Sequence, residues 1–176
     1  LEVEVIEKGS TGFLGIKSKP AIIKARKKND TVDNIREFLE NVFSAMNMEV
    51  TIDIKKAEDD KVYEVELSGK EMGLLIGKRG QTLDSLQYLT NLAVNKHSDG
   101  YIKVKLDTED YRQRRKDTLE NLAKNIAYKV KRTKRPVSLE PMNPFERRVI
   151  HSALQGDRYV ETHSEGEEPF RHVVVT

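Results

Sequence analysis

Leu74-Leu75-Ile76-Gly77-Lys78-Arg79-Gly80 is the stretch that decides how the rest of the chain is read. An apolar run stops at Gly77, two basic residues follow, and Gly80 opens a new amphipathic segment at Gln81. Two helices joined by a Gly-x-x-Gly turn satisfy that pattern, because glycine tolerates dihedrals and close approaches that a Cβ forbids. The second helix turns its unpaired N–H groups and the positive end of its dipole toward the turn. Lys78 and Arg79 add two full charges at the same point. A nucleic-acid backbone is the natural occupant of such a place.

Working outward, Asp30 or Thr31 can cap a helix with Val32, Ile35, Phe38, Leu39, Val42, Phe43 and Met46 on one face. Val50, Ile52 and Ile54 then alternate as a strand, Ala57–Asp60 turns the chain, and Tyr63, Val65 and Leu67 alternate on the way back. A short helix ends at Gly77. A longer one follows with Leu83, Leu86, Leu89, Leu92 and Ala93, and Ile102, Val104 and Leu106 close the unit as a third strand. The order helix, strand, strand, helix, helix, strand, with Ile-Gly-Lys-Arg-Gly between the central helices, resembles a KH domain of the type II arrangement over 30–107. The resemblance implies that Ile76, Gly77, Lys78, Arg79 and Gly80 line a cleft holding about four nucleotides of single strand.

Beyond it, Asp107 or Thr108 is read as the cap of a basic helix whose stripe is Leu119, Leu122, Ala123, Ile126, Ala127 and Val130. Its other faces carry Arg112, Arg114, Arg115 and Lys116 early, and Lys124, Lys129, Lys131, Arg132, Lys134 and Arg135 late. Residues 108–140 hold ten basic and five acidic side chains, whereas 31–107 hold ten and fourteen. Pro136 ends this helix, and Val137 and Leu139 read as a short strand. Asn143-Pro144-x-Glu146 starts the next, with a cap residue, a proline in the first turn and an acid at the third position. That helix runs through Phe145, Val149, Ile150, Ala153 and Leu154 to a stop at Gly156. Arg147 and His151 stand one turn apart on it, where both can reach a single phosphate. The segment resembles the Arg-x-x-x-His domain that binds single-stranded nucleic acid, with its remaining strands at Tyr159–His163 and Arg171–Thr176.

At the other end, residues 1–28 read as two strands joined by the Gly-rich stretch Lys8–Gly15, with Phe13 and Leu14 at its tip. A phosphate loop does not fit, because Ile16 separates Gly15 from Lys17 and no helical pattern follows. The full set resembles the bacterial Jag family, also called KhpB or SpoIIIJ-associated proteins. The fold expected is therefore α+β and multi-domain: a partial N-terminal β-hairpin (1–28), a type II KH domain (30–107), and a small α/β Arg-x-x-x-His domain with the basic connecting helix (108–176). The family's first domain opens with a strand and helix ahead of the part matched here, and a chain beginning at Leu1 is expected to start inside a longer protein.

Composition limits the function classes. Net charge is only +2, so any basic footprint must be local. With no cysteine there is no disulfide framework, thiolate nucleophile or Cys-based zinc site. His97 and His151 stand alone, His163 and His172 can face each other across a hairpin, and no H-E-x-x-H spacing accompanies them. No phosphate-loop motor is visible. The expectation is a non-enzyme without metal or cofactor, and no window is apolar enough for a transmembrane segment. The resemblance implies a cytoplasmic regulator that binds single-stranded RNA, linked to cell envelope or division. It also implies a possible small single-KH partner, and self-association through the N-terminal hairpin. The rival expectation is a protein-interaction adaptor beside the membrane-protein insertase.

Overall fold

The computed structural model describes residues 2–7, 21–26, 30–96, 98 and 100–176. In chain order the first elements are β1 (Glu2–Glu7), β2 (Ile22–Arg26), α1 (Thr31–Ala45), β3 (Val50–Lys56) and β4 (Val62–Gly69). Then come α2 (Met72–Ile76), a 3-10 turn at Lys78–Gly80, α3 (Gln81–Asn95), β5 (Lys103–Asp107) and α4 (Tyr111–Thr133). The chain finishes with β6 (Val137–Ser138), α5 (Pro144–Leu154), β7 (Thr162–Glu165) and β8 (His172–Val175). This is an α+β chain. It divides into two compact units, Leu1–Val65 with Leu86–Lys105, and Glu66–Ser85 with Leu106–Thr176.

In the first unit, β1 and β2 pair antiparallel with Val5 opposite Ile23. The Lys8–Gly15 stretch, with Phe13 and Leu14, lies outside the described residues, as does His97. The Asp30 carboxylate accepts from the Thr31 N–H at 2.6 Å and so caps α1. The α1 stripe buries Ile35, Leu39 and Phe43, while Met46 at its end is exposed. The second sheet has the order β3-β4-β5, which puts β5 at an edge. That edge is met by side chains from α3. Asn91 donates to the Val104 carbonyl and accepts from its N–H, both at 2.8 Å, and Asn95 does the same for Ile102 at 2.7 Å. Two carboxamides one helical turn apart thus stand where a neighbouring strand would be.

One expectation for α3 is corrected. Leu89 and Leu92 are 51% and 52% exposed, and the buried row runs instead through Leu86, Thr90 and Val94. Thr90 can occupy that row because its hydroxyl donates to the Leu86 carbonyl at 2.8 Å, leaving no polar atom unmet.

In the second unit, Leu119, Ala123, Ala127 and Val130 of α4 pack with Met142, Val149, Ile150 and Leu154 around α5 and with Val160, Val173 and Val175. The sheet beside them has the order β6-β8-β7. Leu122 of the expected stripe is 37% exposed. Helix α4 starts at Tyr111, later than a cap at Asp107 or Thr108 implies, yet the Asp107 carboxylate still accepts from the Arg112 N–H of its first turn at 3.3 Å. Glu109 and Asp110 take left-handed conformations with φ near 50° and 53°, while the Asp107 carboxylate accepts from the Thr108 N–H at 2.9 Å. Strand β7 is shifted past the expected Tyr159–His163, whereas β8 lies within the expected Arg171–Thr176. His163 sits opposite Val174 and His172 opposite Glu165, so the two histidines do not face each other.

Asn143 caps α5 by accepting from the Glu146 N–H at 2.8 Å. The Glu146 side chain turns inward rather than back to the cap, and there it takes two bonds from Arg115 of α4, at 2.8 and 2.7 Å. Removing one partner of a buried ion pair strands the other in a poor solvent. Arg115→Ala should therefore lower unfolding stability by about 3 kcal/mol. The double variant Arg115→Met, Glu146→Met should lose markedly less, as read by denaturant titration.

Candidate nucleic-acid interface

The turn after α2 is built on two glycines that no other residue can replace at low cost. Gly77 has φ +66°, and a Cβ there would lie 2.0 Å from the Thr82 hydroxyl oxygen. Gly80 has φ +81° and is buried, and its Cβ would lie 2.8 Å from the Tyr111 ring. Between them Arg79 is itself left-handed, at φ 55° and ψ 35°. Ile76 is half-buried at the end of α2, and α3 begins immediately at Gln81. Ile76, Gly77, Lys78, Arg79 and Gly80 therefore stand together in one tight reversal.

The two cations of the turn differ in availability. Lys78 has no ion-pair partner among the described residues. Arg79 bends back and donates to the Glu140 carboxylate and the Pro141 carbonyl. The sequence shows both charges but not this pairing, because the partners lie more than sixty positions away.

Arg147 and His151 share α5 but do not converge on a common point. Arg147 is buried, donating to the Met142 carbonyl at 2.7 Å and to the Glu168 carboxylate at 2.6 Å. His151 places Nδ1 2.7 Å from the Thr162 hydroxyl and Nε2 2.9 Å from the Ser164 hydroxyl. Thr162 and Ser164 alternate on β7, so both present to the same side of the strand. Burial, the Arg147 charge and His163 hold the His151 imidazole below its ordinary value of 6.5, favouring the neutral ring. Spacing alone shows the pair, and the Glu168 counter-charge, 21 positions from Arg147, leaves no local signal.

The early basic cluster of α4 is also internally matched. Arg112 pairs with Asp84 at 2.8 Å and Arg114 with Glu109 at 3.8 Å. Arg115 pairs with Glu146 at 2.7 Å and Lys116 with Glu120 at 3.8 Å. Among the described residues, no helix is long and apolar enough to cross a membrane, and no three His, Cys, Asp or Glu side chains gather as a metal site.

Comparison with known proteins gives three family matches along the chain. Residues 1–27 match the Jag N-terminus, 33–106 the KH domain of KhpA/KhpB, and 117–176 the Arg-x-x-x-His domain. The chain is 67% identical over its full 176 residues to the RNA-binding protein KhpB of Clostridium symbiosum, covering 79% of that protein. It is 40% identical to the RNA-binding protein KhpB of Bacillus subtilis (strain 168), covering 85% of it. A third similar protein, the RNA-binding protein KhpB of Lactiplantibacillus plantarum, is 37% identical over 89% of this chain and 48% of its own length. With a KH match around the Gly77–Gly80 turn and an Arg-x-x-x-His match around Arg147 and His151, the chain belongs to the KhpB (Jag) family.

Proposed function

We propose that this protein binds single-stranded RNA, with the Ile76–Gly80 turn as its primary contact. The observation that carries this reading is Lys78, without an ion-pair partner among the described residues, held at a glycine-built turn directly before the start of α3. Backbone N–H groups and a fixed cation at one point favour a phosphate, and the glycines let the strand approach closely. The relatives' printed name, RNA-binding protein KhpB, supports the same reading. The protein acts by binding, without chemistry of its own, as a cytoplasmic post-transcriptional regulator linked to cell envelope or division. Its working parts are a hairpin (1–28), a KH domain (30–107) and an Arg-x-x-x-His domain (108–176).

Arg147 and His151 serve a second RNA site in this proposal. Their side chains are held by Met142, Glu168, Thr162 and Ser164, so they act mainly by shaping the surface of α5 and β7. A direct phosphate grip by Arg147 requires exchange of the Glu168 carboxylate for the phosphate.

One observation favours a second reading, that of a protein-contact adaptor. Val5, Ile6, Ile22 and Ile23 of the hairpin are 53%, 58%, 49% and 57% exposed. Apolar side chains so placed fit a surface covered by a second copy or a small single-KH protein. Association beside the membrane-protein insertase belongs to this reading.

Lys78→Asp should weaken binding of a short single-stranded RNA by about tenfold and flatten its salt dependence by about 0.7 in slope. Melting should hardly change, because no ion pair of the described residues is lost with the side chain. Unaltered affinity in fluorescence anisotropy would remove the turn from the interface.

The His151 environment generates a stability prediction. Its folded pKa is depressed, so below pH 6.5 the unfolded chain takes up the proton first. Stability from the neutral, hydroxyl-bridging ring is complete above 6.5 and is lost as pH falls toward the lower folded value. The melting temperature of the wild type should drop over that window more steeply than that of His151→Gln. Parallel pH profiles would show that the ring does not titrate differently in the fold.

A further inference from the structure

The basic excess of α4 is unevenly distributed, and the pairing pattern sharpens the asymmetry. Residues 121–135 contain Lys124, Lys129, Lys131, Arg132, Lys134 and Arg135 and no acidic residue. The early cluster is matched by carboxylates. In the late one, Lys131 alone is paired, to Asp157 at 2.5 Å, and the other five have no ion-pair partner among the described residues. The helix dipole accounts for cations in the last turn only. Lys124 lies more than two turns before the helix ends at Thr133.

Aromatic rings lie in the same patch. Tyr128 is 67% exposed and stands one turn from Lys124 and one turn from Arg132, all on one face. Tyr159 is 75% exposed, with the Lys131 ammonium 5.3 Å from its ring centroid, so it is moored beside the end of α4. The apolar stripe of α4 is buried in its own core, which leaves the helix no apolar face to insert into a lipid surface. Unpaired cations interleaved with exposed rings are the means by which proteins track a single strand, phosphate by phosphate and base by base.

We propose that Lys124, Tyr128, Arg132 and Arg135, with Tyr159, form an additional single-stranded RNA track, separate from the Gly77–Gly80 turn and from the Arg147–His151 pair. The cations follow the phosphates and the two tyrosines stack bases. The inference rests on the reading of this protein as an RNA binder, and it assigns binding of longer strands to this face.

The test uses the whole chain and two labelled oligouridylates, of about four and about sixteen nucleotides. Lys124→Glu, Arg132→Glu, Arg135→Glu should weaken the long strand at least tenfold and flatten its salt slope by about 2. Binding of the short strand should stay as in wild type. Tyr128→Ala, Tyr159→Ala should weaken the long strand about tenfold with the slope unchanged, as lost stacking rather than lost charge. Unchanged long-strand affinity and slope would overturn the proposal, as would equal losses on both strands. Tighter wild-type binding to phosphatidylglycerol vesicles than to the long strand, abolished by the charge reversals, would also overturn it and point to a membrane surface. Lys78→Asp, measured in parallel, separates the two claims. If it leaves the short strand unaffected while the α4 variants lose the long one, the turn fails as primary contact and the track stands. A wild-type chain that binds neither strand overturns both.

Discussion

Tyr111 occupies the space that a side chain on Gly80 would need, and that steric fact ties together the pieces of the second unit. The ring lies against the backbone of the turn, and burial pushes its phenol pKa above the ordinary value of 10.0. Because the ring belongs to the first residue of α4, the position of that helix is registered against the start of α3. Arg112, the next residue, reinforces the registration by bonding the Asp84 carboxylate at 2.8 Å. Thr82 imposes the matching restriction on Gly77. The turn is therefore held by what surrounds it as much as by its own conformation, and its left-handed arginine is sustained by the same enclosure.

Several of the cations that look most available in the sequence are committed to internal partners. The four early cations of α4, together with Arg147 and Arg79, all meet carboxylates. Exposed pairs of this sort contribute little stability, whereas Glu146, being buried, depends on its arginine. A net charge of only +2 does not argue against binding a polyanion, because local charge decides contact. What matters is where unpaired positive charge is concentrated, and residues 121–135 hold five such cations with no acidic residue among them.

Much of this was legible in the chain itself. The α1 cap, the Gly77 stop, the Asn143 cap and most of the α4 stripe appear in the structure where local pattern puts them, because each depends on residues within a turn or two. Asp107 and Thr108 look like a cap from sequence; two left-handed residues delay the start of α4 to Tyr111, and of the two only the Asp107 carboxylate reaches its first turn, at the Arg112 N–H. Leu89 and Leu92 look buried by spacing, but a threonine able to satisfy its own hydroxyl takes the inward row. The pairing of Arg79 with Glu140 and of Glu146 with Arg115 was not legible, because long-range partners leave no local periodicity. One-turn spacing on α5 correctly put Arg147 and His151 side by side, and could not show that each is held by a different neighbour.

The carboxamides of Asn91 and Asn95 have a consequence for how this protein can meet others. A free strand edge is a template: any extended peptide, including the same strand of another copy, can continue the ladder. Here the amide groups of Ile102 and Val104 are already answered, donor for acceptor, by side chains projecting from a helix. Side chains cannot be extended sheet-wise as a real strand could, so the ladder terminates along that stretch. Growth by strand addition is closed off there by helix side chains, and partners must use some other surface than that stretch of edge.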